Sequence, residues 1–431
     1  MKACCKSMMK IIVLFILPII IYFQVMKPYI PTGPTKHSPK YLKLVQHLRD
    51  ENPIPSIEKH SFLVIGGTGF TGGVIVDDLL ARNAKFIRVI SRNFPKESKR
   101  KVGVEYFKGS ITDLKALKMA MKDITIVYHT AAAYGNPPHG RFGVYKESPP
   151  YKVNVGGMKN IIEACEDDSN SVELLVYTSS MHTTFIPGLN QYDVDGYTVK
   201  YNENHHDFYS KSKIEAEKLC LSHDNPGGKL RTIALRPSGI YGPQENYFIP
   251  KIINMFYIYG KYVPVYFDKD EIFEFTFVYN IAWGHDLAVA ALDKLHVGDE
   301  EDVGEKNAPF GQAFYLTDQE RVNSAAFEFA RPLLNGLGIT LNPMIQIPPS
   351  LMIASSYYIE YLMFSIREMT NGMINMKPLM TESEALTLLT SYTIDPKHSE
   401  EVLGYKPLFN WTLGMEWTTE EYVRRYKEEE S

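Results

Sequence analysis

The pattern of apolar and polar positions changes character several times along the chain. "SFLVIGGTGFTGGVIVDDLLARN" opens with an apolar run, turns through glycines, and continues with apolar residues at helical spacing. It predicts a buried strand, a tight turn and an amphipathic helix. "KFIRVISRNF" predicts a second strand, "VEYFKGSITDLKALKMAM" a strand, turn and helix, and "TIVYHTAAA" a fourth strand. "VNVGGMKNIIEAC" reads as a helix and "VELLVYTSS" as another strand. Several of these strands are chiefly apolar, which fits a sheet covered on both faces. Their alternation with helices predicts an α/β fold with a doubly wound parallel sheet.

After about residue 245 the alternation weakens. "FIPKIINMFYIYGKYVPVYF" and "FGQAFYLTDQERVNSAAFEFARPLLNGLG" predict a smaller mixed lobe over 246–431. The aromatic stretch is either ordinary core or the lining of an apolar pocket. Within the lobe, 348–366 is apolar except for Glu360. It is read either as a core helix or as a helix lying in a membrane interface.

The N-terminus follows another rule. Lys2, Lys6 and Lys10 precede an apolar run from Ile11 to Met26. As a helix it would extend about 24 Å, short of a bilayer core of about 30 Å, with the flanking lysines able to reach the interface. No small-residue cleavage site follows, so 1–26 is expected to be an uncleaved single-pass anchor. Residues 27–60, rich in Pro and Lys, are expected to form a tether with one short helix.

Composition narrows the functional classes. A net charge of −4 and the lack of a basic stripe give no footprint for nucleic acid. The four cysteines and the adjacent His205 and His206 do not stand at metal-ligand spacing, so no metal site is expected.

The candidate chemistry begins at the glycines. Gly66, Gly69 and Gly72 follow a predicted strand and open a helix, the context in which glycines admit a dinucleotide pyrophosphate onto a helix N-terminus. At the end of the second strand, where a carboxylate would bind the ribose hydroxyls of NAD, the chain has Ser91 followed by Arg92. A guanidinium without the carboxylate leans towards the 2′-phosphate of NADP. Further on, "VELLVYTSS" ends in Ser179 and Ser180 at the carboxyl edge of the sheet. "DFYSKSKIEAEKL" places Tyr209 and Lys213 on one helical face. Behind a glycine fingerprint, this set predicts an oxidoreductase. Tyr209 exchanges the proton, Lys213 favours its phenolate, and Ser180 holds the substrate oxygen.

With "VIGGTGFTG", "YKVNVGGMKNIIEAC", "LLVYTSS", "YSKSKIEAEKL", "LRPSGIYGP", "FTFVYNIAWGHDLAVAAL" and "AFYLTDQ" all present, the sequence resembles the 3β-hydroxysteroid dehydrogenase family of extended short-chain dehydrogenases. The resemblance covers roughly residues 61–320 and weakens beyond. It implies a Rossmann-type NAD(P)-binding domain over 61–245 carrying the catalytic residues Ser180, Tyr209 and Lys213, followed by a C-terminal substrate lobe. The cofactor set expected is Gly66, Thr68, Gly69, Phe70, Gly72, Arg92, Ile111, Lys213 and Pro237. The implied reaction is oxidation of a steroid or sterol 3β-hydroxyl to the ketone. One branch adds Δ5–Δ4 isomerisation, and a sibling branch acts on sterol 4α-carboxylates with decarboxylation. The family leans to NAD, against the local lean of Ser91 and Arg92. A membrane location in the endoplasmic reticulum or mitochondrion is implied, with a homo-oligomer left open. Two further readings stay open: an NADP-dependent ketone or aldehyde reductase, and a non-catalytic dinucleotide-binding scaffold.

Overall fold

The computed structural model describes residues 39–430, apart from 56, 135–141, 252, 254–270, 298–307, 324–327, 339–347, 375–377 and 379. The expected anchor over 1–26 lies outside these residues. Among the described residues no helix is long and apolar enough to cross a membrane.

Elements are numbered in chain order. Strand β1 (Ser61–Ile65) lies inside a seven-stranded parallel sheet. On one side of it run β2 (Phe86–Ser91) and β3 (Val104–Lys108). On the other side follow β4 (Ile126–His129), β5 (Leu174–Thr178), β7 (Arg231–Pro237) and β10 (Gln312–Leu316). Every pairing in this sheet is parallel, as the alternation of strands with helices predicts. Phe62 and Val64 of β1 enter one core with helices α2 (Phe70–Ala81) and α6 (Val278–Val297). Leu63 and Ile65 enter the other with α3 (Leu114–Ala120), α4 (Gly156–Glu166) and α5 (Phe208–Ser222). The strand order reverses between β1 and β4, and that reversal opens a crevice above their carboxyl ends.

A second sheet joins β6 (Gln191–Asp195), β8 (Gly239–Tyr241), β9 (Ile272–Phe277), β11 (Arg321–Asn323) and β12 (Tyr392–Asp395). Two of its strands come from before residue 245, whereas β10 comes from after it and completes the large sheet. Chain order and spatial unit therefore interleave.

Helix α1 (Pro39–Glu51) is part of the body. Tyr41 is buried and stacks on Trp417 of α10 (Trp411–Glu430) at 4.8 Å, with ring planes 3° apart. Arg49 forms an ion pair with Asp78 and lies 3.4 Å from Asp286. Beyond α7 (Phe329–Gly336), the apolar stretch forms α8 (Pro349–Met369), which packs on α9 (Glu382–Leu388). Its burial is inverted: Ser356, Glu360 and Met363 face inward while Leu351, Tyr358 and Tyr361 are exposed.

Candidate active site

The crevice over β1 and β4 continues into the small lobe as one cleft of about 1500 Å³, running from the glycine loop to α8 and α9. Its floor at the first end is built by steric exclusion. Gly66 has φ +94°, and a Cβ there would fall 2.6 Å from Thr130 Oγ1 and 2.8 Å from the Ala131 nitrogen. Gly72 is tighter still, its Cβ lying 2.4 Å from the Gly66 carbonyl oxygen. Gly69 precedes α2 without a side-chain cap, and the first turn of α2 carries no acidic residue. The first N–H groups of α2 are thus left for an anion, which fits a dinucleotide pyrophosphate.

Around this cradle the cleft is lined by Thr68, Phe70, Ser91, Arg92, Ile111 and Pro237. Ser91 ends β2, and its hydroxyl donates to the Asn93 carbonyl at 2.9 Å with Thr68 Oγ1 3.5 Å away. Ile111 packs against Gly157, where a Cβ would fall 2.6 Å from Ile111 Cδ1. Pro237 closes β7. Every residue expected to touch the cofactor lines the cleft. Arg236, the residue before Pro237, is turned away from it. Its guanidinium grips Glu217, with Nη2 2.6 Å from Oε1, in a buried ion pair.

The second set converges at the carboxyl edge of β5. Ser179 and Ser180 leave the strand buried, and Ser180 Oγ accepts from the His182 amide at 3.2 Å. Tyr209 lies in the first turn of α5, whose start is fixed by Asp207 accepting from the Ser210 amide at 2.8 Å. Lys213, one turn on, is buried; its Nζ donates to the Thr178 carbonyl at 2.8 Å and sits 6.0 Å from the centroid of the Tyr209 ring.

Two electrostatic facts follow. Desolvation holds the Tyr209 phenol well above its ordinary pKa, with Tyr134 and Tyr177 adding to it and the Ser180 hydroxyl pulling the other way. The expected lowering by Lys213 is therefore not what sets the phenol in this structure. The lysine is tied to Thr178 and is itself pushed by burial down to about 7, against a smaller upward pull from Glu217. Between about pH 7 and 10.5 the unfolded chain holds a proton on this lysine that the folded chain lacks. Rising pH through that window thus favours the folded state. Urea melts of the wild type and Lys213→Met should show the wild type gaining on the variant from pH 7 to 9. A gap that is flat or widens against the wild type contradicts this.

Three contributors were not legible in the sequence. Asn154 is buried in the turn before α4; its Oδ1 accepts from the Ala133 amide at 2.7 Å, and its Nδ2 donates to the Ala133 carbonyl at 3.0 Å and Ser212 Oγ at 2.8 Å. Ser212 Oγ in turn donates to the Tyr209 carbonyl at 2.7 Å. One amide thus ties the exit of β4 to the Tyr209 turn. Asn154→Ala is expected to lower stability by about 1–3 kcal/mol and turnover by about tenfold, with dinucleotide affinity retained; denaturant melts and single-turnover kinetics check it. Tyr134 and Tyr247 are the other two. Tyr134 stacks on Tyr209 with ring centroids 4.6 Å apart and on Tyr247 at 5.6 Å. Tyr247 is held by Lys251, 3.1 Å from its oxygen, and by Glu384, which pairs with Lys251 at 2.7 Å. A lone tyrosine after "TAAA" carries no sequence signal of this stack.

The model of the 3-beta hydroxysteroid dehydrogenase/isomerase family matches residues 63–349, which include the glycine loop, Ser180, Tyr209 and Lys213. The chain belongs to that family. A curated relative, short-chain dehydrogenase/reductase family 42E member 1 of Macaca fascicularis, is 31% identical over 84% of this chain and 87% of its own. The 3beta-hydroxysteroid-dehydrogenase/decarboxylase isoform 2 of Arabidopsis thaliana is 29% identical over 84% of this chain and 61% of its own length. The mouse sterol-4-alpha-carboxylate 3-dehydrogenase, decarboxylating, is 27% identical over 83% and 90%. Among solved structures, a UDP-glucose 4-epimerase of Thermotoga maritima superposes with a TM-score of 0.59 at 16% identity, covering 86% of this chain and all of the other. The UDP-glucuronic acid 4-epimerase of Bacillus cereus, solved with NAD, gives 0.57 at 16%, covering 85% and 99%. At that identity the likeness is one of fold. As a member of its family the protein is an NAD(P)-dependent dehydrogenase.

Proposed function

We propose that this family member oxidises the 3β-hydroxyl of a neutral steroid or sterol to the 3-ketone. The observation that carries this reading is the convergence of Ser180, Tyr209 and Lys213 on the cleft that also holds the glycine cradle. When bound on that cradle, a nicotinamide dinucleotide supplies the hydride acceptor. The rest falls to the protein. Ser180 Oγ, fixed by the His182 amide, holds the substrate oxygen. Tyr209 takes the hydroxyl proton, and a buried Lys213 near neutrality favours that transfer by placing a positive charge under the phenol as it ionises. Asn154, through Ser212, keeps the Tyr209 turn in register. The polar groups that would turn over the alcohol meet an apolar substrate face offered by Tyr134, Tyr247, Phe273 and Phe275.

The substrate end supports a neutral sterol over a 4-carboxylate. Glu245, Glu360, Glu382 and Glu384 line it, and its described cation, Lys251, is already paired with Glu384. A substrate carboxylate would meet repulsion there. The decarboxylating activity named for the Arabidopsis and mouse relatives is the second reading, resting on those likenesses. Membrane attachment through the apolar run at 11–26 suits a substrate dissolved in the bilayer. The test is a panel of Δ5 3β-hydroxysteroids and 4-carboxysterols offered to the membrane fraction expressing the full chain. Ketone formation from the neutral steroids is expected. Turnover confined to the carboxysterols selects the second reading, and no turnover on either class rejects both.

A further inference from the structure

Cationic side chains line the cleft at three described positions, and two of them are committed. Lys213 is held by the Thr178 carbonyl and Lys251 by Glu384. Arg92 has no hydrogen-bond or ion-pair partner among the described residues. Elsewhere in this part of the sheet, Arg88 forks onto Glu105 at 3.1 Å through two nitrogens, and Lys101, before β3, is tied to Asp77 at 2.7 Å and to the Gly73 carbonyl at 2.6 Å. An arginine left unpaired at the rim of a cleft whose other two described cations are held is placed for an anion that arrives from outside.

Its position says which anion. Arg92 follows Ser91, the last residue of β2, directly beside the glycine loop, with Thr68 Oγ1 3.5 Å from Ser91 Oγ. In a dinucleotide site this is where the adenosine ribose lies. Binding an unmodified ribose there uses a carboxylate to accept from its two hydroxyls. The carboxylates that line the cleft are Asp207, Glu245, Glu360, Glu382 and Glu384, all beyond the Tyr209 end. At the Ser91 end the described lining has none. A phosphate on the 2′-oxygen would therefore meet no repulsion, one free guanidinium fork and the Thr68 hydroxyl.

We propose that Ser91, Arg92 and Thr68 form a 2′-phosphate subsite, and that the protein binds NADP in preference to NAD. The proposal rests on the dinucleotide reading of the glycine cradle and specifies which dinucleotide. The preference is set by the chain's own departure at Ser91, where a carboxylate would otherwise stand.

The experiment is equilibrium binding of NADP and NAD to the purified full chain in detergent, followed by calorimetry and by quenching of tryptophan fluorescence. Wild type, Arg92→Ala and Ser91→Asp are compared. The wild type is expected to bind NADP about tenfold or more tighter than NAD, the scale of one charge-assisted contact. Arg92→Ala should weaken NADP by about tenfold while changing NAD by less than twofold. Ser91→Asp should reverse the preference, since it adds the ribose acceptor and repels the phosphate. Because Arg92 is exposed, the NADP advantage should also shrink with added salt. Equal or tighter binding of NAD by the wild type overturns the subsite and leaves the dehydrogenase reading standing. So does an Arg92→Ala variant that weakens both cofactors alike. Failure to bind either dinucleotide overturns the subsite together with the cradle on which it rests.

Discussion

Tyr209→Phe is expected to lower turnover by about a thousandfold while leaving dinucleotide affinity within about twofold. The change removes one oxygen and keeps the ring, so the stack with Tyr134 at 4.6 Å and the turn held by Asp207 and Ser210 are preserved. What is lost is the group proposed to receive the alcohol proton, and a positioned acid–base group contributes roughly a hundredfold to ten-thousandfold. The phenol also begins from a disfavoured state, because its surroundings hold it well above the ordinary pKa. A general base in that position works only if ionisation is favoured at the moment of reaction, which makes the buried lysine below it indispensable. Turnover should therefore fall to a comparable level in Lys213→Met. Single-turnover rates with saturating cofactor check the first variant, and an intact melting curve shows that the fold survives. A Tyr209→Phe enzyme retaining a tenth of wild-type turnover would remove the tyrosine from the chemistry.

Gly72→Ala should abolish dinucleotide binding, with affinity falling more than about a hundredfold. The added methyl would sit 2.4 Å from the Gly66 oxygen, 2.7 Å from the Gly66 carbonyl carbon and 2.6 Å from Thr130 Oγ1. Two of those three atoms are backbone, so no side-chain rotation relieves the clash. The loop or the first turn of α2 has to move, and both shape the pyrophosphate cradle. Gly73 is the internal control. Its Cβ would meet nothing closer than the Gly67 oxygen at 3.9 Å, and alanine is the better helix former. Gly73→Ala should bind dinucleotide normally and melt at or slightly above the wild-type temperature. Equal binding by both alanine variants, measured by calorimetry, would show that the loop tolerates displacement and that the cradle is placed elsewhere.

The parts of this architecture that were legible in the sequence share a cause. β1, β4 and β5 are buried on both faces, so they are apolar apart from one terminal residue each, and a parallel sheet is the structure that buries strands that way. The glycine loop and the serine, tyrosine and lysine pattern are local, spanning a turn or a single helical face, and local geometry survives translation into sequence. The rest depends on long-range contacts. β6 reads "QYDVD", too polar to announce a strand, and it forms because β12 lies beside it some two hundred positions later. Tyr41 in the Pro-rich tether looks like a linker residue until Trp417 stacks on it. α8 was expected to present its apolar face either to the core or to a membrane. What the sequence does not show is that its one carboxylate in the stretch, Glu360, points inward to the cleft and accepts from the Glu382 amide at 3.3 Å. Asn154 carries no signal in the sequence, because a buried asparagine joining two loops and a helix has no period at all. The lowering of the Tyr209 phenol by Lys213 was inferred from spacing alone, and spacing does not reveal that the ammonium is engaged by the Thr178 carbonyl.

The central claim is that a steroid 3-hydroxyl is oxidised by direct hydride loss from carbon 3 at this site. The most direct measurement supplies a 3β-hydroxysteroid carrying deuterium at the 3α position to the full-length protein in its membrane fraction with oxidised dinucleotide. Mass spectrometry of both products should find a 3-ketone without the label and an equal amount of reduced dinucleotide one mass unit heavier, with neither formed by Tyr209→Phe. Unlabelled reduced dinucleotide, or a ketone formed equally well by the variant, would contradict the account.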